Sequence, residues 1–287
     1  MDTTDTKYFD AHTHAHFAAF KDDWREVVAR ALAEDVWMVT VGTQKDTSRG
    51  AVETAHAFPE GVYAAVGLHP VHTDRSFHDA NELGGSDEAK GFTSRGETFD
   101  PANYLELARD PKTLAIGECG LDYFHIEGDA GEVEQKKKKQ KTAFEGQIAL
   151  AREVGKPLMV HCRDAHDDLI DMLRALRASL PPRPGIVHFF TGSVAQARAL
   201  ADLGFAFTFG GVITFARNYD EVITMLPTDR ILSETDAPYV TPAPYRGKRN
   251  EPRYVIEVVK KLAALKGLSL GEMQAAIWAN ARKTLGF

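Results

Sequence analysis

Asp10-Ala11-His12-Thr13-His14 closes the first apolar segment of the chain, the run from Tyr8 to His12. A strand turns alternate side chains to opposite faces, so His12 and His14 at i and i+2 point the same way and two imidazoles converge. Residues of metal-binding type recur at the ends of later segments. Glu118 follows Ile116-Gly117, His161 and His188 each close a β-like run, and Asp236 closes Leu232-Ser233-Glu234-Thr235. Metal-dependent hydrolases gather neutral imidazoles and carboxylates in this way around one or two divalent ions, leaving positions open for water and substrate.

Those ends lie on a repeating pattern. Short runs rich in β-branched or aromatic residues stand at Tyr8–His12, Val36–Val41, Val62–Val66, Thr113–Ile116, Leu158–His161, Ile186–Phe189, Phe205–Phe209 and Arg230–Leu232. Between them lie segments with apolar residues at three- and four-residue steps, among them Asp22 to Ala33, Phe144 to Val154, Asp167 to Leu180, Val194 to Leu203 and Tyr219 to Leu226. Strand followed by helix, eight times over, predicts an α/β fold of the (β/α)8 TIM-barrel type with the active site at the C-terminal strand ends. A doubly wound open sheet is the alternative, but its Gly-rich phosphate turn after the first strand is missing. One domain over residues 1–287 is expected. Polar stretches near 71–110 and 124–141 read as loop insertions on the catalytic face, and Tyr254 to Leu265 and Leu270 to Ala281 as closing helices.

Composition narrows the function classes. The chain has 287 residues, 44% hydrophobic and 26% charged, enough for one large core. No apolar run approaches the roughly 20 residues that span a bilayer, and the polar start has no secretory pattern, so no membrane partner and a cytoplasmic location are expected. The net charge of −7 argues against broad attraction to polyphosphate but not against a phosphodiester held at a metal site. Lys136 to Lys139 read as a solvated helix face. Cys119 and Cys162 each follow a proposed ligand, so alternation turns them away as packed thiols.

Eight motifs, in order along nearly the whole chain, resemble those of the TatD family of metal-dependent deoxyribonucleases, within the amidohydrolase-like barrels. They are Phe9-Asp10-Ala11-His12-Thr13-His14, Gly67-Leu68-His69-Pro70, Gly117 to Tyr123, Pro157 to Ala165, His188 to Gly192, Glu234 to Tyr239, Arg246 to Pro252, and Asn280. His16 departs from the pattern, standing where the family has Asp or Asn. The resemblance implies that His12, His14, Glu118 and Asp236 hold one divalent ion and that Glu118, His161 and His188 hold a second, with Mg, Mn or Zn as the candidates. It implies hydrolysis of DNA phosphodiesters by a metal-activated water, as a 3′–5′ exonuclease on single strands or free ends, with Glu118 and Asp236 as the catalytic carboxylates. His69, Arg163 and Asn250 are candidate substrate contacts, Tyr123 and Tyr239 candidate stacking residues, and Asp122 and Glu234 candidates for orienting the ligands. An esterase or deacylase, acting for example on misacylated tRNA, needs nearly the same ligands; a silent binding protein would not need them intact. The sequence sets no oligomeric state.

Overall fold

A computed structural model describes residues 6–74, 96–124 and 126–287, together with the backbone of 77–78 and 92–93. Most of the first predicted insertion, residues 75–95, lies outside the fully described residues. Eight strands form one parallel sheet in the order of the chain: β1 Tyr8–Thr13, β2 Val36–Val41, β3 Val62–Val66, β4 Thr113–Asp122, β5 Leu158–Arg163, β6 Gly185–Val187, β7 Ala206–Phe209 and β8 Ile231–Ser233. Such strands are covered on both faces, which is why Val36-Trp37-Met38-Val39-Thr40-Val41 reads as a nearly continuous apolar run. The sheet curls into a nearly closed (β/α)8 TIM barrel, as predicted.

The seam between β8 and β1 is closed by side chains and the loop after β8. The Ser233 hydroxyl donates to Phe9 O (2.7 Å), and the buried Asp10 carboxylate accepts both the N–H and the hydroxyl of Thr235. Just beyond, the Asp236 N–H donates to His12 O (2.9 Å) and the His14 N–H to Ala237 O (2.8 Å). These bonds fix the register of the two ends that carry His12, His14 and Asp236.

Helices α1 Trp24–Ala33, α2 Lys45–His56, α3 Pro101–Arg109, α4 Ala130–Val154, α5 His166–Ala175, α6 Val194–Asp202, α7 Asp220–Met225, α8 Val255–Lys266 and α9 Leu270–Leu285 surround the sheet. The second predicted loop insertion, near 124–141, needs correction: from Ala130 onward it is the first half of α4. Asp129 and Glu132 form a capping box there, satisfying amide groups that have no partner inside the helix. At the other end Gly155 adopts the left-handed conformation (φ 69°) that stops the helix before Pro157.

β4 also differs from expectation. Its apolar run stops at Ile116 and Glu118 is expected to close the strand, but the strand continues to Asp122, so Glu118 lies within it. Ile116 pairs with Leu158 and Cys119 with Val160, which places one extra residue on β4 at Glu118. Gly117 and Gly120 permit this: a Cβ on Gly117 would stand 2.3 Å from Met159 O, and one on Gly120 2.1 Å from His161 O. β1 carries an equivalent irregularity between Asp10 and Thr13. Bulges re-aim side chains at barrel rims, and here both alter the strict alternation on which the His12–His14 prediction rested.

Candidate metal centre

Glu118 lies at the middle of the site, buried, with its two carboxylate oxygens turned to different histidines. Oε2 is 3.5 Å from His12 Nε2 and 3.8 Å from His14 Nε2. The two imidazole nitrogens are 3.2 Å apart, and Asp236 Oδ1 lies 3.4 Å from that of His14 and 3.8 Å from that of His12. Four donors at about 2.0–2.1 Å from one cation in a tetrahedron stand about 3.4 Å from each other, so these separations fit a single divalent ion. The His14 Nδ1–H is spent on Val41 O (2.7 Å), which leaves Nε2 as the ligating nitrogen.

On the other side, Glu118 Oε1 is 2.7 Å from His188 Nε2 and 3.0 Å from His161 Nδ1, themselves 3.1 Å apart. An acidic side chain stands behind each imidazole. His161 Nε2 meets Asp122 Oδ2 at 3.0 Å, and His188 Nδ1 faces Glu234 Oε2 at 3.8 Å. Glu234 is in turn fixed by the Thr208 hydroxyl and by the Phe189 N–H (2.8 Å). Asp122, a candidate for orienting a ligand, hydrogen-bonds His161, whereas Glu234 stands beyond hydrogen-bond distance of His188 Nδ1.

Burial works against charge on every member of this cluster. For Glu118 it is outweighed by the imidazoles of His69, His188 and His12, which hold the carboxyl well below the usual range. Burial is likewise overcome at His188, raised well above its ordinary value by Glu118 and Glu234, at His161 by Asp122 and Glu118, and at His14 by Asp236. At His12 and His69 burial prevails and the imidazole pKa falls. One buried carboxylate among imidazole nitrogens is a donor set that suits a divalent cation of borderline softness, whose binding would displace protons from the imidazoles.

The remaining predicted residues separate into two groups. His69 faces the centre: its Nδ1 accepts from the Val71 N–H, so the proton is on Nε2, 3.2 Å from Glu118 Oε1. Arg163, at the end of β5, stacks its guanidinium 3.5 Å from the ring centroid of Phe124. Asn250 needs correction as a substrate contact. It is 0% exposed; its amide donates to Thr235 O (2.9 Å) and Tyr239 O (2.6 Å), while its Oδ1 accepts from the Glu251 N–H. Tyr123 donates to Asp168 and Tyr239 flanks His14 at 6.2 Å. His16 turns from the centre to bond Thr40 Oγ1 (2.7 Å), and burial pushes its pKa down to about 3. Cys119 and Cys162 are buried thiols, as alternation implies.

Two positioning residues escaped the sequence reading. Gln140 on α4 pairs both ends of its amide with the backbone of Asp122, and Gln147, two turns on, does the same with Leu68. Their signal is present but faint, since both interrupt the apolar stripe of Ala143, Phe144, Ile148 and Ala151.

Comparison with known proteins points to one family. A family model described as TatD related DNase matches residues 9–286. The chain is 38% identical over 278 residues to the uncharacterized metal-dependent hydrolase YabD of Bacillus subtilis, covering 96% of this chain and 97% of that one. It is 32% identical over 289 residues to the 3′-5′ ssDNA/RNA exonuclease TatD of Klebsiella pneumoniae, covering 97% of each. Among solved structures it is similar to YJJV, a TatD homolog from Escherichia coli K12, with a TM-score of 0.79, 27% identity and 99% of both chains covered.

Proposed function

This chain belongs to the TatD family and is a metal-dependent hydrolase; from that premise we propose that it removes nucleotides from free 3′ ends of single-stranded DNA using two divalent ions. One observation carries the reading: the two oxygens of Glu118 serve separate nitrogen clusters, as a carboxylate bridging two cations would. The relative named as a 3′-5′ ssDNA/RNA exonuclease supports the polarity and the strand type.

His12, His14, Glu118 and Asp236 would hold one ion, and Glu118, His161 and His188 the other. When bound, such ions neutralise phosphate charge and lower the pKa of water. Asp236 would take a proton from the attacking water; its side chain, 18% exposed, is the most open of the carboxylates around Glu118. As the water oxygen bonds to phosphorus, the bond from phosphorus to the 3′ oxygen breaks and a proton passes to that leaving oxygen. The His69 Nε2–H and the Arg163 guanidinium bind nonbridging phosphate oxygens. The hydrogen bond from Asp122 would keep His161 from rotating, and Glu234 would offer His188 a negative charge behind its ring.

The test is digestion of a single-stranded oligonucleotide labelled at either end, with added Mg, Mn or Zn, beside an aminoacyl-tRNA and a lactone. Stepwise loss from the 3′ end, reduced on the order of 10²-fold or more in His161→Ala, is the expected outcome. Nucleotide release that survives this substitution would overturn the mechanism, and cleavage of the carboxylic esters alone would make the protein a deacylase.

A further inference from the structure

Two large apolar side chains are exposed among the described residues, Phe124 (50%) and Phe215 (44%). Both lie on loops that leave the C-terminal ends of strands, Phe124 just after β4 and Phe215 beyond β7, so both belong to the face that carries the metal centre. Each lies under an arginine: Arg163 stacks on Phe124, and Arg246 stands 4.0 Å from the centroid of Phe215.

Phe215 is firmly placed. The loop carrying it is tied to the one after β8 by the Ala243 N–H, which donates to Thr214 Oγ1 (2.9 Å). A Cβ on Gly211 would stand 2.2 Å from Val240 O, so the two loops touch backbone to backbone. The second of these loops carries Asp236 near its start. Arg246 donates to Thr241 O (3.3 Å), which holds its planar guanidinium over the ring without using all five donors. Two residues along the chain from each member stand the exposed cations Arg217, ion-paired with Asp220 (3.6 Å), and Lys248.

We propose that Phe215 and Arg246 form a stacking platform for one unpaired nucleobase of the substrate strand, the ring taking the base and the guanidinium the adjoining phosphate. The inference rests on the nuclease reading above and extends it by naming a subsite outside the metal centre. Stacking on an aromatic face needs a base that is not paired, so the platform selects single strands and tolerates any sequence. Phe124 with Arg163 gives the opposite side of the mouth the same chemistry, and the strand would cross between them.

The experiment compares wild-type protein with Phe215→Ala and Phe215→Trp on single-stranded oligonucleotides carrying one abasic site at successive distances from the 3′ end. Phe215→Ala is expected to raise KM on the order of tenfold with kcat nearly unchanged, and Phe215→Trp to restore it. In wild-type protein an abasic site at one particular distance should cost the same, and in Phe215→Ala it should cost nothing further. Arg246→Gln should reduce the salt dependence of KM by about one phosphate contact. If wild-type protein digests the oligonucleotide and Phe215→Ala does so with the same KM, the platform is wrong and the nuclease reading stands. If the two losses add in full, Phe215 acts other than by stacking and the platform is likewise wrong. If wild-type protein with added divalent ions neither binds nor digests the oligonucleotide, both readings fail together. Phe215 is exposed, so the melting temperature of the alanine variant should match wild type and exclude a folding defect.

Discussion

Glu118 does at the scale of one side chain what the barrel does at large: it joins the histidines at the end of β1 to those of β5 and the end of β6. It can do so because one extra residue in β4 turns it inward and two glycines let the neighbouring backbone close around it. Asn250 shows the opposite case. Its position in Arg246-Gly247-Lys248-Arg249-Asn250 suggests a loop amide available to substrate, but every polar atom of the amide group is engaged inside the fold. Asn250→Ala should therefore lower stability by about 2–4 kcal/mol, since it orphans buried backbone groups. Urea denaturation measures this. A variant with an unchanged midpoint and a raised KM would return Asn250 to the substrate. The residues that gather here were legible because a histidine or carboxylate beside an apolar run is a local pattern. Burial of an amide is not, because it depends on Thr235 and Tyr239 folding back over it.

At the scale of elements, α4 is the member whose importance the sequence understates. Its basic, glutamine-rich first half looks like a solvated helix, and much of it is. Yet Gln140 and Gln147 project to the barrel and each clamps the N–H and C=O of one residue at or just past a strand end: Asp122, which hydrogen-bonds His161, and Leu68, which precedes His69. Gln147→Leu keeps the volume roughly but leaves the Leu68 N–H and C=O unpaired. It should cost about 2–4 kcal/mol, and it should reduce activity beyond what partial unfolding explains, because His69 loses its anchor. Comparing activity per folded molecule, at a temperature well below the transition, tests this. Equal specific activity would show that α4 supports the fold without positioning the site.

For the whole molecule, the main consequence of the site is electrostatic. Burying Glu118 among imidazoles, with Asp122, Glu234 and Asp236 close by, gives the folded chain a concentration of donors that no unfolded chain presents. A divalent ion that binds only this arrangement stabilises it by mass action, about 2.7 kcal/mol when its concentration is 100 times Kd. Protein freed of metal by chelation should show a melting temperature that rises with added Mn or Zn, and His188→Ala should lose much of that rise. A melting temperature indifferent to metal in the wild-type protein would contradict a metal centre here.

What the sequence determined by itself follows from short-range rules. Eight strand–helix alternations specify a barrel, and ligand-type residues at strand ends specify its catalytic rim, because side-chain periodicity and residue type are both local. Tertiary structure alone decided where β4 bulges, how Asp10 and Ser233 close the seam, which glutamines clamp the backbone and which amide is buried. Each of those depends on a partner distant in sequence, 225 residues away for Asp10 and Thr235. Only closure of the barrel brings such partners within bonding range.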